Sequence, residues 1–161
     1  NHESPRRGES FVTRKIASTV ARIARGSDEI LQLGNLDSER DWGYAPEFVE
    51  AIWLSLQHPT AEDFIFATGT STTVRDFAEA AFREIGISLA FEGEGKHETA
   101  RDSSSKKLLL TVDSRFFRPV DSHRLAGDSS KARRLLGWTP LTAGTDVARI
   151  LARSELKMLP H

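Results

Sequence analysis

The sequence predicts a mixed α/β domain, and three observations predict it. Stretches with apolar residues every three or four positions alternate with short apolar runs of strand length. Capping residues and stop glycines punctuate these stretches so that helices and strands interleave rather than grouping by type. The 161 residues, 39% of them hydrophobic, suffice for one compact unit with a core but are few for a two-domain enzyme. Residues 1–161 are therefore read as a single domain or a piece of a larger one.

In chain order, Val12, Ile16, Val20 and Ile23 recur at helical spacing, with Ser10 placed as N-cap and Gly26 as stop. A short apolar stretch over residues 29–33 runs into a loop at 34–43 that is rich in Gly, Asn, Asp and Ser and carries Arg40. Pro46 suits the first turn of a second helix, whose expected buried stripe is Phe48, Val49, Ile52, Trp53 and Leu56, ended by His58 and Pro59. Residues 64–67 read as a strand. Thr73 and Asp76 form a capping-box pattern ahead of Val74, Phe77, Ala78, Ala81 and Ile85, and Gly86 closes that helix. A strand is expected over 87–91, a solvent-exposed, mobile polar loop over 93–107 and a further strand over 108–112. Asp128 caps a short helix through Leu136, stopped by Gly137, and a last helix carries Val147, Ile150, Leu151 and Met158.

Composition excludes several function classes. The formal net charge is -1 with a pI near 6.6, and basic residues are scattered among acidic ones, so there is no positive field to hold a nucleic acid. With no cysteine, disulfides and thiolate metal sites are ruled out, which fits a reducing cytoplasm. The five histidines, His2, His58, His97, His123 and His161, lack metal-ligand spacing, so no metal is expected. No apolar run approaches the roughly 20 residues of a membrane span, and the opening residues are not signal-like. The one methionine is Met158, and Asn1 opens directly on a dense motif, so Asn1 reads as an interior position of a longer chain.

Dinucleotide chemistry is also poorly provided for. The one GxG, Gly93-Glu94-Gly95, lies in the polar stretch with no helix predicted behind it. The single tyrosine, Tyr44, has Phe48 four positions on, so the tyrosine–lysine acid/base pair of short-chain dehydrogenases is not in this sequence.

What remains is a set of arginines on separate loops. Residues 1–8, NHESPRRG, place two guanidinium groups and an imidazole in a turn that either binds an anion or is a charged surface loop. Arg40-Asp41-Trp42-Gly43 sets a guanidinium beside an indole and a glycine, either for close approach of a ligand or as an Arg40–Asp41 surface pair over a core tryptophan. Arg118 follows Phe116 and Phe117, a buried aromatic pair that either anchors an arm presenting Arg118 or ends a strand. Arginines on distant loops without a nucleophile–base pair point to holding a diphosphate. A charge-assisted contact contributes about 1.5 to 3 kcal/mol, so two supply much of the about 8 kcal/mol of a micromolar affinity.

The strings NHESPRRG (1–8), FVTRKI (11–16), LGNLDSERDWGYAPEFVEAIW (33–53), ATG (67–69), FFRP (116–119) and GDSSKARRLLGWTP (127–140) resemble the GDP-mannose 4,6-dehydratase family in order and spacing. The resemblance covers nearly the whole chain, NHESPRRG and RDWG being its most specific parts. It implies the mixed α/β, substrate-binding portion of an extended short-chain dehydrogenase, an incomplete Rossmann-type fold whose N-terminal dinucleotide-binding half is missing. It implies that Asn1 lies against the sugar-phosphate end of the substrate, that His2 and Arg7 contact NADP, and that Lys15, Arg40 and Arg118 face the GDP part. The family's ribose-binding glutamate falls at Asp121, one methylene shorter. The family's proton-handling residues would all precede Asn1, so no catalytic residue is expected here. GDP-mannose as substrate, a cytoplasmic homo-oligomer (dimer or tetramer) and GDP-fucose biosynthesis follow from the same resemblance. The rivals are a reductase of the 4-keto product and a non-catalytic binding or assembly module. A fragment of this kind is also expected to expose apolar surface, through helices such as residues 45–57, and to self-associate.

Overall fold

The computed structural model describes residues 1–118 and 126–158. Its elements interleave as the pattern predicts: β1 His2–Glu3, α1 Val12–Ala24, β2 Leu31–Leu33, β3 Glu39–Arg40, β4 Gly43–Tyr44, α2 Ala45–Gln57, β5 Thr72–Thr73, α3 Val74–Arg83, β6 Leu89–Glu92, β7 Thr99–Asp102, β8 Leu108–Val112, α4 Ser130–Leu136 and α5 Gly144–Met158. A four-stranded sheet runs β2-β8-β7-β6, with β2 parallel to β8 and the other pairs antiparallel. Two small ladders accompany it, parallel β1-β4 and antiparallel β3-β5.

Helical periodicity builds the main core. Ile16 and Val20 of α1, Phe77 and Phe82 of α3, and Val147 and Leu151 of α5 are fully buried together with Leu31, Leu33, Leu109 and Leu110 of the sheet. Thr73 caps α3, its hydroxyl accepting from the Asp76 amide at 2.9 Å and donating to the Asp76 carboxylate at 2.7 Å. A second, smaller cluster joins Phe48 and Ala51 of α2 to Ala132 and Trp138, with Phe64 and Phe66 packed on it.

Five expectations are corrected. Phe11, not Ser10, is the N-cap of α1, and its phenyl ring, having no acceptor, makes no side-chain cap bond. The apolar stripe of α2 is not buried: Phe48 is, but Val49, Ile52, Trp53 and Leu56 are 63%, 48%, 58% and 76% exposed, because α2 packs on α4 and β4 and nothing described covers its other face. Residues 64–67 form no ladder, although Phe64 and Phe66 pack on the second cluster. The polar stretch 93–107 is not all loop. It makes a 3-10 turn at Gly95–His97 and then β7, which is bonded on both edges and needs only Ala100 and a charge-paired Glu98 inside. Phe116 is 47% exposed, so it and Phe117 are not a buried pair; Phe116 walls a cavity instead.

Candidate functional site

A cavity of about 540 Å3 opens where α1, the loop after β2, β3, the start of α3 and the segment after β8 meet. Val12 and Lys15, three apart on α1, face it together. The loop 34–38 is braced from α3: the Val74 and Arg75 amides donate to Ser38 O and Leu36 O, each at 3.0 Å. Arg75 is itself ion-paired to Asp37 at 2.6 Å and to the buried Glu98, and these carboxylates raise its already high pKa. Arg40, on β3, is held in register opposite Thr72 of β5 and lines the cavity. Trp42 is 4% exposed, edge-on to Phe77 at 5.0 Å, and still contributes to the wall.

The opposite wall depends on Gly34. A Cβ there would overlap the backbone of Phe116, so only glycine lets the segment after β8 lie this close. The Asp113 amide donates to Leu33 O at 2.8 Å, and the Asp113 carboxylate takes both the Arg115 amide and its guanidinium. That bonding drops the Asp113 carboxyl to about 2. Lys15 Nζ stands 3.8 Å from the centroid of the Phe116 ring. Burial lowers its pKa, with Asp113 opposing that shift and Arg115 adding to it.

Among the described residues the lining carries Lys15, Arg40, Arg115 and Arg118, with Phe116, Trp42 and Phe11 as apolar surfaces. Four cationic groups around one concavity with aromatic walls suit an anion joined to a flat ring system.

The opening motif lies elsewhere. Asn1 O accepts from the Gly43 amide at 3.2 Å, and the exposed His2 stacks on Phe48 at 5.5 Å. Arg7 lies over the Phe11 ring at 3.5 Å, and its buried Nε is 3.2 Å from Glu3 Oε2 without making a hydrogen bond. Glu3 is 3% exposed and accepts from Thr13 Oγ1 at 2.8 Å; burial raises its pKa against the pull of that bond and of Arg7. Arg14 of α1 donates to Pro5 O and Arg7 O and pairs with Glu155 of α5, so helices on both sides hold the loop's shape.

Of the residues singled out in the sequence, Lys15, Arg40 and Arg118 line one cavity, whereas Asn1, His2 on β1 and Arg7 in the turn after it are not part of that lining. Asp121 lies outside the described residues. Sequence reasoning missed Asn35, Trp42, Arg115 and Phe116 as lining residues. Asn35 and Arg115 sit within three residues of motif positions, a usable signal; the role of Phe116 arises from contacts across the fold. Among the described residues no cluster of His, Cys, Asp and Glu is placed to hold a metal ion, and no helix is long and apolar enough to cross a membrane.

Solved structures share this arrangement. RMD from Pseudomonas aeruginosa, complexed with NADPH, matches with a TM-score of 0.77 at 18% identity over 99% of this chain and 47% of that one. The dTDP-glucose 4,6-dehydratase of Bacillus anthracis, in complex with NAD, matches with a TM-score of 0.70 at 12% identity over 98% and 43%. The fold is therefore a mixed α/β arrangement resembling part of extended short-chain dehydrogenases. Sequence narrows the class: the family described as GDP-mannose 4,6 dehydratase matches residues 1–151, and the chain belongs to it. It is 46% identical to a GDP-mannose 4,6-dehydratase of Sinorhizobium fredii and 43% identical to that of Homo sapiens, over 99% of this chain in each case. It spans 45% and 43% of their lengths, less than half of each.

Proposed function

We propose that this chain is the nucleotide-sugar-holding part of a GDP-mannose 4,6-dehydratase, a lyase that converts GDP-mannose to GDP-4-keto-6-deoxymannose and water. The observation that supports the reading is the cavity that gathers Lys15 of α1, Arg40 of β3, and Arg115 and Arg118 after β8 from separate segments of the chain. In this reading Lys15, Arg40 and Arg118 grip the GDP diphosphate, Asn1 meets the sugar-phosphate end and Asp121 reaches for the ribose. The aromatic walls shelter these contacts from water, and the lower local dielectric strengthens charge-assisted bonds.

NADP, bound by the rest of such an enzyme, supplies the hydride acceptor and donor of the reaction. On this chain His2 and Arg7 fit one edge of an anionic cofactor: an exposed imidazole, and a partly exposed guanidinium whose Nε is held against Glu3 at 3.2 Å. They do not enclose it, and the tyrosine–lysine pair is not in this sequence, so the chain by itself binds without turning over. The whole protein acts in the cytoplasm as a homo-oligomer, in nucleotide-sugar metabolism leading toward GDP-fucose.

Calorimetric titration of GDP into the chain tests the reading. Binding is expected, weakening as salt rises, and Arg40→Ala should reduce it about 10- to 150-fold. Undetectable GDP binding, or an unchanged affinity in Arg40→Ala, overturns it. Turnover of GDP-mannose by the chain with NADP would overturn the inactivity.

A further inference from the structure

The lysines of this chain sit in different surroundings. Lys107 and Lys131 each place Nζ 2.7 Å from a carboxylate, that of Asp28 and of Glu62, and Lys106 donates to Ser103 O at 2.8 Å. Lys96 and Lys157 are exposed. Lys15 differs from these: it is half-buried on the wall of the cavity, with Nζ 3.8 Å from the centroid of the Phe116 ring. The Arg115 guanidinium lies over the same ring at 5.6 Å, and Arg40 and Arg118 line the same cavity. Burial and the charge of Arg115 favour the neutral amine of Lys15, while Asp113 and the face of the ring pull toward the ammonium. A lysine beside another cation and partly withdrawn from water is a better nucleophile than a solvated one. The guanidinium groups around it hold phosphate oxygens. The cavity therefore sets an acceptor for an acyl group next to a seat for a phosphate.

We propose that Lys15 is a modification site: the cavity captures a small acyl phosphate by its phosphate group, and the Lys15 amine takes the acyl group. In that step Lys15 Nζ, its ammonium proton lost to water, attacks the carbonyl carbon. The C–N bond of an amide forms and the C–O bond to phosphate breaks. Phosphate leaves with the bonding pair and takes up the proton that the nitrogen releases. The arginines that held the phosphate also stabilise the charge it gains on leaving. Acylation removes the ammonium charge and its contact with the Phe116 ring. It thereby weakens the hold on a nucleoside diphosphate, so GDP and acylation exclude one another. This last consequence rests on the reading of the cavity given above, whereas capture of the acyl phosphate requires only the cationic lining.

Acetyl phosphate is the probe, with acetylation at each lysine followed by peptide mass spectrometry and the neutral ester N-hydroxysuccinimidyl acetate as reference. Acetyl phosphate should modify Lys15 at least about tenfold faster than Lys96 and Lys157, as expected of a cleft that concentrates anions. The neutral ester should favour Lys96 and Lys157 instead. Arg118→Ala alters an exposed side chain of the lining and should lower the preference for Lys15 by at least about threefold, as should raised salt. A Lys15 rate no greater than those of Lys96 and Lys157, or an equal preference with the neutral ester, overturns the proposal. A preference that persists unchanged in Arg118→Ala overturns it too. GDP should protect Lys15, and GDP that binds without protecting it overturns the exclusion. If GDP does not bind while acetyl phosphate still selects Lys15 in an Arg118-dependent way, the reading of the cavity as a GDP site falls and the modification site stands.

Discussion

The uncovered face of α2 should drive the isolated chain to self-associate, and replacing one residue should prevent it. Val49, Ile52, Trp53 and Leu56 are each about half to three-quarters exposed, while Phe48 and Ala51 on the other side of the same helix are buried. Fully burying such a side chain is worth about 1.5–3 kcal/mol, so covering the exposed part is worth about 1–2 kcal/mol each. Two copies meeting face to face bury the patch twice, roughly 8–16 kcal/mol gross, against an association cost of about 4–15 kcal/mol. Terms this closely matched give an association seen only as concentration rises. Trp53→Lys removes the largest side chain from both copies, a loss of about 2–4 kcal/mol or roughly 30- to 900-fold in the dimer dissociation constant. Because Trp53 is 58% exposed, the same change should leave unfolding within about 0.5 kcal/mol of wild type. Sedimentation velocity across a concentration series is the assay. A strictly monomeric wild type at high concentration, or a Trp53→Lys chain that associates just as strongly, would refute the reasoning.

The lowered Lys15 pKa predicts an alkaline limit to GDP binding. A diphosphate favours the charged ammonium, so affinity should fall as pH rises through the lowered Lys15 value, below the ordinary lysine value of about 10.4. Lys15→Arg keeps its charge and should lose this limb; identical pH profiles for the two proteins would show that Lys15 does not meet the anion. Gly34→Ala places a methyl against the Phe116 backbone and should cost about 1–3 kcal/mol in urea unfolding while weakening GDP binding. A stable variant with unaltered affinity would mean that this close approach does not shape the cavity.

The helices were legible because their signals are local. The spacing of Ile16, Val20 and Ile23, the Thr73–Asp76 cap and the stop at Gly137, which takes a φ of +67°, each act within a turn or two of chain. The strand β7 was not, since a strand bonded on both edges can be polar, and its neighbours in the sheet are decided by chain crossing rather than by its own residues. Lys15, Arg40 and Arg118 could be picked out by residue type and by their motifs. Arg115 and Phe116 were missed because what makes them part of the cavity is the crossing of Gly34 beneath them.

By itself, then, the sequence determined the alternation of helices and strands, the lack of a tyrosine–lysine pair and the cationic residues available to hold an anion, since each depends on residue identity and short spacing. Only the tertiary structure decided that Lys15, Arg40 and Arg118 share one cavity, that Asp41 turns away from it to bind Thr68, Gly69 and Gly127, and that one apolar face of α2 is left uncovered. Periodicity shows that a helix has an apolar face. Whether that face is buried depends on what the rest of the chain brings against it, and that is a property of packing.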